Sequence, residues 1–114
     1  MDRSTTATAL RFAPKFAALG HEARLAIVRL LLTAHPDGLV VWEMQQELEI
    51  PPSTLSHHLD GLQREGLINV TREGKYLRYR AEADGLRELL SFLYVECCTR
   101  SNLVPVSALK GVRS

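Results

Sequence analysis

Large apolar residues recur along this chain with two different periods. From Leu10 to Leu19 the positions Leu10, Ala13, Phe16, Ala17 and Leu19 keep helical spacing. Pro14 lies inside that run, so the pattern predicts a helix that bends or restarts there, with Pro14 in a first turn. Residues 1–9 are small and polar and are expected to be a flexible N-terminus. Gly20 closes the helix. A second helix is predicted in HEARLAIVRLLLTA, where Leu25, Ile27 or Val28, Leu31 and Leu32 form a broad apolar face. Pro36-Asp37-Gly38 predicts a turn, Leu39-Val40-Val41 a short strand, and Trp42 to Glu49 a third helix. Ile50, Pro51 and Pro52 cannot extend that helix, because proline lacks a donor and clashes with the preceding turn. Ser53 offers a hydroxyl cap to a fourth helix, in which Leu55, Leu59 and Leu62 share one face.

After Gly66 the period falls to two. Leu67, Ile68, Val70 and Thr71 read as a strand, Arg72-Glu73-Gly74-Lys75 as a hairpin turn, and Tyr76 to Arg80 as the return strand. Asp84 opens a last long helix reaching to about Asn102, with Leu86, Leu89, Leu90, Leu93 and Cys97 as its stripe. Phe92, Tyr94 and Val95 make its second half apolar almost all round. The predicted order is α-α-(β)-α-α-β-β-α, a mainly α domain over residues 10–102 followed by a flexible tail, 103–114. A helix apolar on every side must be covered on every side. A chain of 114 residues looks too short to do so alone. A homodimer through the first and last helices is therefore expected, with Leu10, Phe16, Leu89, Phe92, Leu93 and Tyr94 at the interface.

The fourth helix carries unusual polar residues. Opposite its leucines lie Ser53, His57, Asp60 and Arg64, flanked by Thr54 and Ser56. Small hydroxyls and an imidazole near a helix N-terminus can hydrogen-bond phosphates and base edges. These residues suit the recognition helix of a helix-turn-helix; an ordinary amphipathic helix is the plainer alternative. The following hairpin bears Arg72, Lys75, Arg78 and Arg80, a basic ribbon able to reach a DNA backbone or minor groove, or else simply a solvated hairpin. Helix-turn-helix plus basic hairpin is a stronger signal than either part. The DNA-contacting set expected from it is Ser53, Thr54, Ser56, His57 and Arg64, with Arg72, Lys75 and Arg78 from the hairpin. The third helix is acidic (Glu43, Glu47, Glu49) and is not expected to lie deep against phosphate.

Bulk charge adds little, since the formal net charge is +1. From Ser53 to Arg80, however, five Lys/Arg face three Asp/Glu, so the suspected binding unit is mildly basic. No charged-then-apolar leader and no apolar run of membrane length is visible, and a cytoplasmic location is expected. Cys97 and Cys98 are the two cysteines. Adjacent thiols in a small intracellular chain suit a soft ligand or redox chemistry better than a scaffold disulfide. Cys97 also fits as a small core residue on the leucine stripe. A direct bond between the two would close a strained ring. His57 and His58 diverge by ~100° on a helix and make no chelating pair. His57 is expected outward, His58 packed and hydrogen-bonded, and His21 and His35 have no visible partner.

The motifs LGHEARLAIVRLL (Leu19 to Leu31), STLSHHLDGLQREGLI (Ser53 to Ile68) and REGKYLRYRA (Arg72 to Ala81) together resemble the winged helix-turn-helix repressors of the ArsR/SmtB family. The likeness covers about residues 10 to 100. It implies a dimeric repressor that binds operator DNA when free of effector and lets go when loaded. One arsenic-sensing type of this family has a Cys-x-Cys before the recognition helix, but Val40 to Leu48 holds no cysteine. The zinc-sensing type uses Asp, His and Glu along the last helix, which here has Asp84 and Glu96 but no histidine. Cys97-Cys98 is similar to the C-terminal vicinal cysteines of members that sense trivalent arsenic, some of which add a third cysteine that this chain lacks.

Soft trivalent arsenic prefers thiolates. Arsenite can accept three sulfurs, whereas a methyl- or aryl-arsenical has one bond on carbon and accepts two. Two thiols per protomer therefore tilt the expected effector towards organoarsenicals such as methylarsenite, with arsenite or antimonite also possible. The arsenical is an effector rather than a cofactor, and no structural metal is expected. A redox- or persulfide-sensing regulator using the same cysteines is the alternative. A vicinal-dithiol enzyme lacks support, since no Gly-rich cofactor loop or second catalytic cluster is visible.

Overall fold

A computed structural model of the chain describes residues 3–95. Its elements are α1 (Arg3–Leu19), α2 (Glu22–Thr33), β1 (Leu39–Val40), α3 (Val41–Leu48), α4 (Pro52–Arg64), β2 (Ile68–Glu73), β3 (Tyr76–Ala81) and α5 (Ala83–Tyr94). The strands form an antiparallel sheet in the order β1-β3-β2. Tyr79 of the central strand pairs with Leu39 on one side and Val70 on the other. This is a winged helix-turn-helix: α3 and α4 are the helix pair, and β2 and β3 are the wing.

The core sits where the predicted apolar faces converge. Ile27 and Leu31 of α2, Met44 of α3, Leu55, Leu59 and Leu62 of α4, and Leu67 and Ile68 entering the wing are all essentially inaccessible. Every leucine on the inner face of α4 is thus an anchor, and the helix can present only its opposite face to a partner. Between α3 and α4 the chain reverses at Glu49, which takes the left-handed conformation (φ 53°) while its amide bonds the Gln45 carbonyl at 2.9 Å.

Several sequence expectations shift. α1 begins at Arg3, within the stretch expected to be flexible, and runs through Pro14 as one helix. Leu10 and Pro14 both lie on its exposed side, where the carbonyl deprived of its partner can turn to water. Pro51, not Ser53, occupies the N-cap of α4, with Pro52 as first helical residue. Proline at that position loses nothing, because the first amides of a helix have no intrahelical acceptor. Ser53 lies exposed in the first turn. The hairpin turn is tighter than expected: Glu73 still pairs with Tyr76, leaving Gly74 (φ 62°) and Lys75 as a two-residue loop.

The last helix also needs correction. Leu89, expected at a dimer interface, is buried in the protomer's own core because α1 folds back over α5. Phe92 is partly covered in the same way: its ring stacks on Phe12 at 4.7 Å and lies 6.3 Å from Phe16. α1 does not cover the whole helix. Leu90, Leu93 and Val95 stay about half exposed, and Leu10 of α1 is 73% exposed. Cys97, Cys98 and the tail lie outside the described residues.

Candidate nucleic-acid interface

α4 separates its faces cleanly. Ser53, Thr54, Ser56, His57, Asp60 and Arg64 are all exposed, and they share the side away from Leu55, Leu59 and Leu62. No charged side chain claims the hydroxyls or His57 among the described residues, so their hydrogen-bonding capacity remains available to an incoming polymer. Arg64 stands in the last turn, where its cation also complements the helix dipole.

The wing divides its cations into two roles. Arg78 donates from Nε to a Glu73 carboxylate oxygen at 2.9 Å and from Nη1 to the Gly38 carbonyl at 3.3 Å. The Glu73 hydrogen bond comes first among the influences that raise the Arg78 pKa above its ordinary value. Arg80 donates from Nε to the Pro36 carbonyl at 3.1 Å and from Nη1 to the Thr71 hydroxyl at 2.8 Å, and it lies 3.7 Å from Glu73. These two arginines brace the wing against the loop before β1. Arg78, expected on phosphate, is therefore occupied inside the wing, because strand pairing sets it diagonally across from Glu73.

Arg72 and Lys75 are different. Arg72 reaches only the Gly74 carbonyl at 3.1 Å, and the Lys75 ammonium sits 5.5 Å from the centre of the Tyr76 ring. Neither forms an ion pair among the described residues. The wing tip thus holds two cations open to phosphate. Arg72→Ala and Lys75→Ala are each expected to weaken binding to operator and random duplex alike, and to lower the salt slope by about one. Binding titrations at several salt concentrations check this, and an unchanged slope would remove the tip from the interface.

Sequence reasoning missed what supports α4 from behind. His58 is only 6% exposed, and its Nδ1 accepts a hydrogen bond from Arg24 Nε at 3.1 Å. His21, which had no visible partner, is the N-cap of α2: its Nδ1 accepts from the Ala23 amide at 3.1 Å, and its ring lies 4.6 Å from that of His58. Gly61, isolated inside a helix where glycine costs about 1 kcal/mol relative to alanine, was the available signal that something approaches closely there.

Residues 19–71 match a family described as a helix-turn-helix domain. The transcriptional activator HlyU of Vibrio cholerae is 32% identical over 81 residues, covering 71% of this chain and 72% of that protein. The structure of reduced HlyU from Vibrio cholerae N16961 superposes with a TM-score of 0.68 at 27% identity, over 85% of this chain and 99% of that one. An ArsR-like transcriptional regulator from Rhodococcus sp. RHA1 gives 0.64 at 25% identity, over 95% and 97%. A homodimeric winged helix-turn-helix DNA-binding domain from Mycobacterium bovis gives 0.66 at 23% identity, over 89% and 91%, and speaks for the fold. The chain belongs to the winged helix-turn-helix transcriptional regulators of the ArsR and HlyU type. It is a DNA-binding regulator and not an enzyme. No helix among the described residues is long and apolar enough to cross a membrane.

Proposed function

We propose that this regulator is a homodimeric repressor that holds operator DNA until a trivalent arsenical binds Cys97 and Cys98. The observation that carries this reading is the adjacent thiol pair that follows α5 in the chain, the helix that leaves Leu90 and Leu93 exposed. Dimerisation is supported by that open apolar strip and by the homodimeric Mycobacterium bovis neighbour. A two-fold dimer would present two copies of α4 to major grooves ~34–36 Å apart, so a palindromic operator is expected. Direct base contact is assigned to Ser56 and His57, with Ser53, Thr54 and Arg64 beside them.

The thiols would deprotonate as they coordinate arsenic. Because they follow the helix that borders the open face, a ligand there can repack the dimer and change the spacing of the two recognition helices. A tenfold loss of DNA affinity needs only ~1.4 kcal/mol of coupling. Two thiols suit a monosubstituted arsenical, so methylarsenite is expected to act at lower concentration than arsenite or antimonite. Cys97→Ser and Cys98→Ser are expected to retain operator binding and to lose release by the arsenical. A double serine protein that still releases DNA would refute the site. Equal sensitivity to arsenite would refute only the organic preference. A second reading, an oxidant or sulfane-sulfur switch at the same thiols, is favoured by the similarity to HlyU, whose structure is that of the reduced protein. Release by a persulfide donor with no response to arsenicals would select it.

A further inference from the structure

We propose that Arg24 is a positioning residue for the recognition helix: laid against Gly61 and bonded to His58, it sets α4 on α2 and holds only while His58 is neutral. The proposal rests on α4 as the DNA-contacting helix.

Three observations meet at this point. The Arg24 side chain crosses from α2 to the middle of α4, and a Cβ added to Gly61 would lie 2.7 Å from its Cζ, Nη1 and Nη2. The guanidinium thus lies against the bare backbone of α4, which gives this helix a reason to contain a glycine. Arg24 Nε also donates to His58 Nδ1. A guanidinium has no acceptor, so Nδ1 must carry a lone pair, and His58 must be neutral with its proton on Nε2. The same reasoning applies one ring away. His21 Nδ1 accepts the Ala23 amide, so it too must be bare for the α2 cap to exist.

The cluster has no internal compensation for added charge. The groups acting on His58 are His21 and Arg24 from the α2 side and His57 on α4 itself, and each disfavours a proton there. Burial, then those charges, hold the His58 pKa below its ordinary value of 6.5. The sign follows from linkage. With the pKa depressed in the locked arrangement, the released arrangement takes up the proton more readily, so the lock is complete above about pH 6.5 and weakens as pH falls below it. Protonated His58 turns a donor towards the Arg24 donor, and Arg24 must leave Gly61. His57 acts in the opposite sense, because it is exposed on the DNA-facing side and a charge there attracts phosphate. A merely structural arginine would produce no such pH profile.

The test is operator affinity between pH 7.5 and 5.5 at constant ionic strength, for the unmodified chain, His57→Gln and the double variant His57→Gln/His58→Asn. Asparagine places a non-titrating acceptor near the position of Nδ1. His57→Gln is expected to weaken about tenfold over that range, the unmodified chain by less, and the double variant is expected to bind with a flat profile. Constant or rising affinity of His57→Gln on acidification, or an equal fall in the double variant, would overturn the proposal. Nitrogen-resolved imidazole NMR of the DNA-free chain decides independently of any variant. At pH 7.5 His21 and His58 are expected as Nε2–H tautomers, and an Nδ1–H tautomer at His58 would overturn the lock. Absence of operator binding at pH 7.5 would instead refute the DNA-contacting role of α4, leaving the lock to be decided by the NMR.

Discussion

Leu62→Ala is expected to lower the unfolding free energy by about 2–5 kcal/mol, the range for truncating a leucine in a core that cannot collapse around the cavity. Leu62 is fully inaccessible, on the same face of α4 as Leu55 and Leu59, inside the cluster that joins α2, α3 and the base of the wing. Domains of this size hold only about 5–15 kcal/mol in total. The substitution would therefore use up a large share of it and populate unfolded chains under mild conditions. Urea unfolding would show a lower midpoint with unchanged slope. The contrast lies across the same helix: Ser56→Ala and His57→Ala touch only exposed side chains, and their stability effects should stay within about 0.5 kcal/mol. They should act on the affinity for operator, more than for random duplex. A Leu62 effect below about 1 kcal/mol would mean that α4 is not anchored by this face.

Leu93→Asp is expected to separate the dimer and, with it, to weaken binding to a palindromic operator by about 10²–10⁴-fold, the gain that tethering a second half-site supplies. Leu93 is 49% exposed in the protomer, one turn from the equally exposed Leu90 on the side of α5 that α1 leaves open. A carboxylate there stays hydrated in a monomer, so the protomer should fold as before. In a dimer it would be buried among apolar side chains without a partner, at a cost of several kcal/mol. Leu89→Asp makes the control, since Leu89 is 3% exposed and its replacement should unfold the protomer itself. Light scattering and operator titration on the same Leu93→Asp sample check both halves. A stable dimer with full affinity would move the interface elsewhere.

These two leucines, four residues apart on one helix, show where sequence periodicity stops being informative. The pattern of apolar positions was enough to find the five helices of the described residues and both wing strands, because amphipathic spacing reports which side of an element is buried. It also separated the leucine face of α4 from the hydroxyls and His57, and it placed His58 inside. Periodicity cannot say whether a stripe is buried by the same chain or by another copy, because both remove the same side chains from water. Only the packing of α1 over α5 assigned Leu89 to the protomer and left Leu93 open. The wing poses the same difficulty in charges. Arg72, Lys75, Arg78 and Arg80 look alike in sequence, yet the strand register delivers Glu73 and two loop carbonyls to the last pair and leaves the first pair at the tip. The Arg24, His58 and Gly61 contact was illegible for a related reason. Its residues are 34 and 37 positions apart and become neighbours only when α2 and α4 cross. Local pattern determined the elements and their faces, whereas contacts between elements, and so the partner each polar group finally meets, were decided by the tertiary structure.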